Sequence, residues 1–110
     1  MTYRESPKGW DGIVDQLLLE FEKLPGWRHE YIDQIKEKFG GLRVYVSPPV
    51  FELGEQAERL IRKAEAEAWL TCQGCGTKDD VAKRGNGWVF TECSACHAER
   101  RRGLPRGRPR

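Results

Sequence analysis

Trp10, Ile13, Val14, Leu17, Leu18 and Phe21 recur at i, i+3, i+4, i+7, i+8 and i+11, the one-sided stripe of an amphipathic helix. Asp11 is placed to cap it and Pro25-Gly26 to end it, so a helix is predicted over about 11–24. A second stripe begins at Leu53 and runs through Ala57, Leu60, Ile61, Ala64 and Ala68. Its polar face carries Glu55 with Arg59 and Glu58 with Arg62, each in the favourable i, i+4 orientation, which predicts a helix over about 53–70.

Between the stripes the period is ambiguous. Tyr31, Ile35 and Phe39 also fit a helix, but LRVYV (42–46) is β-branched and aromatic, and Pro48-Pro49 would stop a strand. Gly40-Gly41 tolerates positive φ, so a β-hairpin turning on that pair is the favoured reading. In this register Phe39 faces Leu42, Glu37 faces Val44 and Ile35 faces Val46 on a mostly apolar side. Lys38 then faces Arg43, and Lys36 faces Tyr45, on a basic side that also bears Gln34.

After residue 70 the pattern changes again. All four cysteines lie in TCQGCGTKDDVAKRGNGWVFTECSACHAER (71–100), as two Cys-x-x-Cys pairs, Cys72 with Cys75 and Cys93 with Cys96. One such turn places two thiolates at two corners of a tetrahedron, and a second turn completes it, so the spacing is that of a four-thiolate zinc site. Gly74 and Gly76 suit the tight knuckle around Cys75. The intervening residues read as a short strand near 80–84, a Gly85-Asn86-Gly87 turn and a strand Trp88 to Thr91, and CSACHAERRR follows with helix-forming residues. Knuckle, hairpin and helix in that order make a treble-clef or zinc-ribbon module. One zinc ion per chain is expected, and a closed four-cysteine site has no open position for water or substrate, so the metal is expected to be structural.

Other chemistries fit less well. A thioredoxin-type redox pair needs a single motif at a helix start in a βαβ setting, and iron–sulfur proteins of ferredoxin type space their cysteines differently. His97 directly follows Cys96 and reads as a surface-helix histidine rather than a ligand. A metal-dependent nuclease on this fold needs a histidine in the zinc hairpin; TKDDVAKRGNGW has none, and Asp79-Asp80 reads as a turn rather than a magnesium site. A divalent-metal site would have to be assembled from His29, Asp33 or Asp79, which the sequence does not place together. No phosphate loop, Ser-His-Asp set or His-Glu-x-x-His occurs, and no small-molecule substrate is evident. The expectation is a protein that is not an enzyme.

The chain has 110 residues, 38% hydrophobic and 33% charged, which bounds it to a small fold that benefits from a staple. No stretch reaches membrane-spanning length, and MTYRESPKGW has no apolar h-region, so a cytoplasmic protein with reduced thiols is expected. The net charge of +2 conceals an asymmetry: residues 99–110 hold six arginines against Glu99, whereas residues 1–98 hold 13 Lys or Arg against 16 Asp or Glu. The expected organisation is a helix–hairpin–helix part over 1–70, a zinc module over 71–102 packed on it, and a disordered Arg-rich tail over 103–110.

Two features are candidates for contacting nucleic acid or another partner. One is the basic sheet side, Lys36, Lys38, Arg43 and Tyr45; the other is the arginine run that begins with Arg100, Arg101 and Arg102. For a protein partner, Trp27, Val50, Phe51 and Trp88 are candidate anchors.

The order of Gly9-Trp10 with its helix, QIKEKFGGLRVYV (34–46), the charged helix, TCQGCG and GWVFTECSAC resembles a set of small bacterial and phage proteins of uncharacterised function. The resemblance covers about residues 9–98. It implies a zinc-binding C-terminal module and a strand over 29–37, and it implies no activity. The resulting expectation is an α+β protein of phage or prophage type that acts by contacting a host protein or nucleic acid. An alternative is a sequence-independent DNA- or RNA-binding protein using the basic side and the tail.

Overall fold

The apolar stripe of residues 10–21 and the alanine-rich stripe of residues 57–68 meet face to face over a small sheet. The computed structural model describes residues 4–47, 53–85 and 87–103, and over them the fold is α+β, with three α-helices and two small sheets. In chain order the elements are β1 (Arg4–Glu5), α1 (Asp11–Glu22), β2 (Ile32–Lys38), β3 (Gly41–Val46), α2 (Glu55–Ala68), β4 (Val81–Arg84), β5 (Phe90–Cys93) and α3 (Ser94–Arg101). Short 3-10 turns at Lys8–Trp10 and His29–Tyr31 lead into α1 and β2. The predicted element from 29 therefore becomes a strand only at Ile32.

Trp10, Val14, Leu17 and Phe21 of the first stripe are buried against Ile35 and Leu42 of the sheet and Ala57, Ala64 and Ala68 of α2. The alanines allow α2 to approach closely, and its outer face carries the expected pairs, Arg59 to Glu55 at 3.2 Å and Arg62 to Glu58 at 3.0 Å. Trp27, expected as an exposed anchor, instead stacks on Phe21 at 4.2 Å between centroids and meets Tyr31 edge-on, so it extends the core. Val50 and Phe51 lie outside the described residues, as do Pro48, Pro49 and the tail from 104 onward. Asp11 does not cap α1. The N-cap position is Trp10 and has no side-chain cap, while Asp11 and Asp15 pair with Arg4, at 3.5 and 2.8 Å.

The hairpin forms, but its register differs by two residues from the expected one. Ile35 pairs with Val44, Lys36 with Arg43, Glu37 with Leu42 and Lys38 with Gly41, with the turn on Phe39-Gly40. Phe39 and Gly40 have φ of 55° and 82°, the left-handed pair that a tight two-residue turn demands. Gly41 is needed elsewhere: a Cβ there would meet the Trp69 ring at 2.6 Å, so its bare backbone is the seat for the end of α2. Because the shift is even, each side chain keeps its predicted face. Phe39 is the exception, moved from the expected apolar face into the turn, where it is 70% exposed.

Strand β1 pairs in parallel with β2, Arg4 with Ile35 and Glu5 with Lys36, and gives the sheet order β1-β2-β3. On the free edge of β3 the Glu65 carboxylate of α2 accepts the Val44 N–H at 3.2 Å, which covers part of a row of otherwise open donors. The second sheet, β4 with β5, rests on the first hairpin: the Thr91 hydroxyl donates to the Gly40 carbonyl at 2.6 Å.

Candidate metal centre and its flanking surface

Residues 72–76 form a knuckle because Gly76 takes φ of 86° and its N–H closes on the Cys72 carbonyl at 2.9 Å. The N–H groups of Gly74 and Cys75 then point at Cys72 Sγ, at 3.3 and 3.4 Å. Cys93 ends β5 and caps α3, its Sγ accepting the Cys96 N–H at 3.4 Å. The first turn of α3 thereby brings Cys96 to the same point. The four ligand sulfurs of Cys72, Cys75, Cys93 and Cys96 all lie within 4.8 Å of one another. Cys75 Sγ and Cys93 Sγ are 3.8 Å apart, which is the edge of a tetrahedron with metal–sulfur bonds of about 2.3 Å. Among the described residues this is the group of His, Cys, Asp and Glu side chains that can hold a metal ion. His29, Asp33 and Asp79 form no such group; Asp33 accepts the Ser47 hydroxyl instead.

The thiols are electrostatically unequal. Burial opposes ionisation of Cys72, but the backbone donors of Cys75, Cys93 and Gly74 outweigh it and bring its pKa down to about 7. Burial, together with hydrogen bonds that the Cys96 thiol donates to Cys72 and Cys93, pushes Cys96 well up. Cys75 is also raised: a backbone donor at Thr77 favours its thiolate, and burial with the neighbouring sulfurs prevails. One sulfur is thus ready to ionise while two neighbours hold their protons, the order expected of a thiol cluster that a cation must deprotonate.

A second polar cluster lies beside the metal centre. Glu92 is fully buried, and its Oε1 accepts from the Arg100 guanidinium at 2.7 Å and lies 3.0 Å from His97 Nδ1. Arg100 also covers the Phe90 ring at 3.9 Å. His97 is accordingly not a solvated surface residue; it belongs to a partly buried network that fastens α3 to β5. The sequence holds a signal for this cluster, since His97 and Arg100 are spaced i, i+3 and share one helix face. Asp80 serves the same unit: the Ser94 hydroxyl, then Arg84, holds its carboxyl below the ordinary value, in keeping with a turn.

The centre is tied to the N-terminal half by three polar contacts. The Trp10 indole N–H donates to the Thr71 carbonyl at 2.9 Å, the Gly9 N–H donates to the Gln73 carbonyl at 3.0 Å, and the Thr91 hydroxyl donates to the Gly40 carbonyl at 2.6 Å. A Cβ on Gly9 would run into the Cys72 carbonyl, so glycine is required at that approach.

Of the candidate binding residues, Lys36, Lys38, Arg43 and Tyr45 share the outer face of the first sheet, with Lys36 Nζ 5.6 Å from the Tyr45 ring centroid. Arg101 and Arg102 are exposed at the end of α3, whereas Arg100 is turned inward on Glu92 and stands apart from both groups. Sequence reasoning missed Trp69 and Lys83: Lys83 Nζ sits 4.4 Å from the Trp69 ring centroid, at the junction of the two sheets. A cleft of about 550 Å³ opens between β1, Lys36 and the knuckle at Gln73-Gly74; Glu5 and Glu37, which also line it, accept from the Gln34 amide and the Gly40 N–H.

Comparison with protein-family models, with curated proteins and with solved structures finds no match. Among the described residues no helix is long and apolar enough to cross a membrane.

Proposed function

We propose that the chain is a small binding protein of phage or prophage type, stabilised by one structural zinc ion, that acts by contacting a host protein or nucleic acid. The observation that carries it is the four-sulfur set itself. Four thiolates at tetrahedral spacing suit zinc and leave no position for water or substrate, so the metal serves the fold. What it would hold in place is a second hairpin seated on the first, which joins the exposed basic side of one sheet to the exposed aromatic end of the other. In this reading the protein does no chemistry and the surface does the work.

Metal analysis of full-length protein purified without added metal is the test of the zinc; close to one zinc per chain is expected, and well under one refutes it. Affinity purification from the host, with and without nuclease, tests the contact. A specific co-eluting protein or nucleic acid is expected, and turnover of a small molecule by the purified chain would overturn the reading.

A further inference from the structure

Half of the cations among the described residues are neutralised locally. Arg4, Arg28, Arg59, Arg62, Lys63, Lys78, Arg84 and Arg100 all have carboxylate partners within 4 Å. Lys36, Lys38, Arg43 and Lys83 have none among the described residues, nor do Lys8, Lys23, Arg101 and Arg102, and the first four belong to the two hairpins. Lys36, Lys38 and Arg43 stand on the outer face of β2–β3, and Lys83 sits on the β4–β5 hairpin that the Thr91–Gly40 bond seats against the first turn.

Aromatic rings interleave with these charges. Lys36 lies over Tyr45, Lys38 over Phe39 at 5.7 Å, and Lys83 over Trp69. Gly40 docks against Thr91 and Val89, so Phe39 and Trp88 are the chain neighbours of residues that form the seam where the hairpins meet. Both rings are 70% exposed and belong to neither buried apolar cluster.

Resting on the binding-protein reading above, we propose that this seam is a platform for single-stranded nucleic acid. Phe39 and Trp88 stack on bases, and Lys36, Lys38, Arg43 and Lys83 meet phosphates. Charge complementarity selects a polyanion. The exposed ring faces select one whose bases are free to stack, since a duplex keeps its base faces inside. A protein partner fits less well, because protein interfaces are depleted in lysine at their centres and this surface is lysine-rich. Lys83 and Trp88 of the platform belong to the hairpin between the cysteine pairs, so binding should depend on the metal.

The test uses metal-loaded full-length protein in which R106S/R108S/R110S removes three arginines of the terminal run, with fluorescein-labelled 12-nucleotide dT and U strands and a matching duplex as probes. Four phosphate contacts predict an affinity loss of about 50-fold between 50 and 200 mM salt, and K38Q/R43Q should cut that loss to about sevenfold. F39A and W88A should each weaken single-strand binding about tenfold, while F39Y retains it. Circular dichroism and zinc content of every variant report whether the fold survives.

Three results overturn the proposal: no binding of single strands by the zinc-loaded protein, equal or tighter binding of duplex, or binding that F39A and W88A leave unchanged. Capture of a host protein that survives nuclease and is lost in W88A also overturns it, and leaves the broader binding-protein reading standing. A zinc content well under one per chain refutes that reading instead.

Discussion

Glu92 is a buried carboxylate whose charge is balanced by Arg100, with His97 completing the cluster beside it. Such a pair is costly to break from one side, because the remaining charge loses its partner while most of it stays withdrawn from water. Glu92→Gln keeps the shape and removes the charge, so urea unfolding of the metal-saturated protein should show a loss of about 3 kcal/mol. A loss under about 1 kcal/mol would mean that Arg100 finds solvent easily and that the network is peripheral. The same cluster explains why Arg100 differs from Arg101 and Arg102. In the sequence the three read as one basic run, and only the i, i+3 relation of Arg100 to His97 hints that one of them turns inward.

At the scale of elements, helical periodicity was enough to read α1 and α2, because each buries one continuous stripe and little else competes with that pattern. The cysteine pairs were equally legible, since the ligand geometry fixes their spacing. The hairpin turn was not. Gly40-Gly41 is the better local turn pair, but Gly41 has to admit the Trp69 ring from a distant helix, and the turn moved onto Phe39-Gly40. Strand β1 was invisible for a related reason: two residues carry no period, and their pairing with β2 spans about 30 positions. Gly41→Ala is therefore the informative change at the hairpin. It should cost about 1–3 kcal/mol through overpacking and alter the near-ultraviolet circular dichroism of Trp69. Neutral behaviour would place the Trp69 contact elsewhere.

For the whole molecule, burial divides unevenly. Among the described residues the first cluster contains twelve buried residues drawn from α1, β2, β3 and α2 with the turns flanking them, whereas the second consists of Cys72, Cys93 and Cys96 with Val81 packed against them. The second unit thus has little core apart from its metal ligands. Chelation should therefore release hydrogen-exchange protection over residues 72–101 and largely preserve it in α1 and the first sheet. Uniform loss would show that the two units unfold as one. Acid should act like chelation. Cys75 and Cys96 are held above their ordinary values and stay protonated across neutral pH, so metal binding must expel at least two protons. Affinity should then fall at least about 10⁴-fold from pH 8 to pH 6, and more steeply below about 7 where Cys72 also takes up a proton. Competition with a chromophoric chelator at the two pH values measures it, and a flat profile would exclude thiolate ligation.

The bond from the Trp10 indole to the Thr71 carbonyl also sets an order in time. It joins residues 61 positions apart, and the neighbouring Gly9 N–H reaches Gln73. During synthesis, the largest side chain of the main core has no partner for its N–H until α2 and the start of the knuckle have left the ribosome. The contact closes a long loop, so the first core can complete its polar contacts only once the first Cys-x-x-Cys pair has begun to emerge.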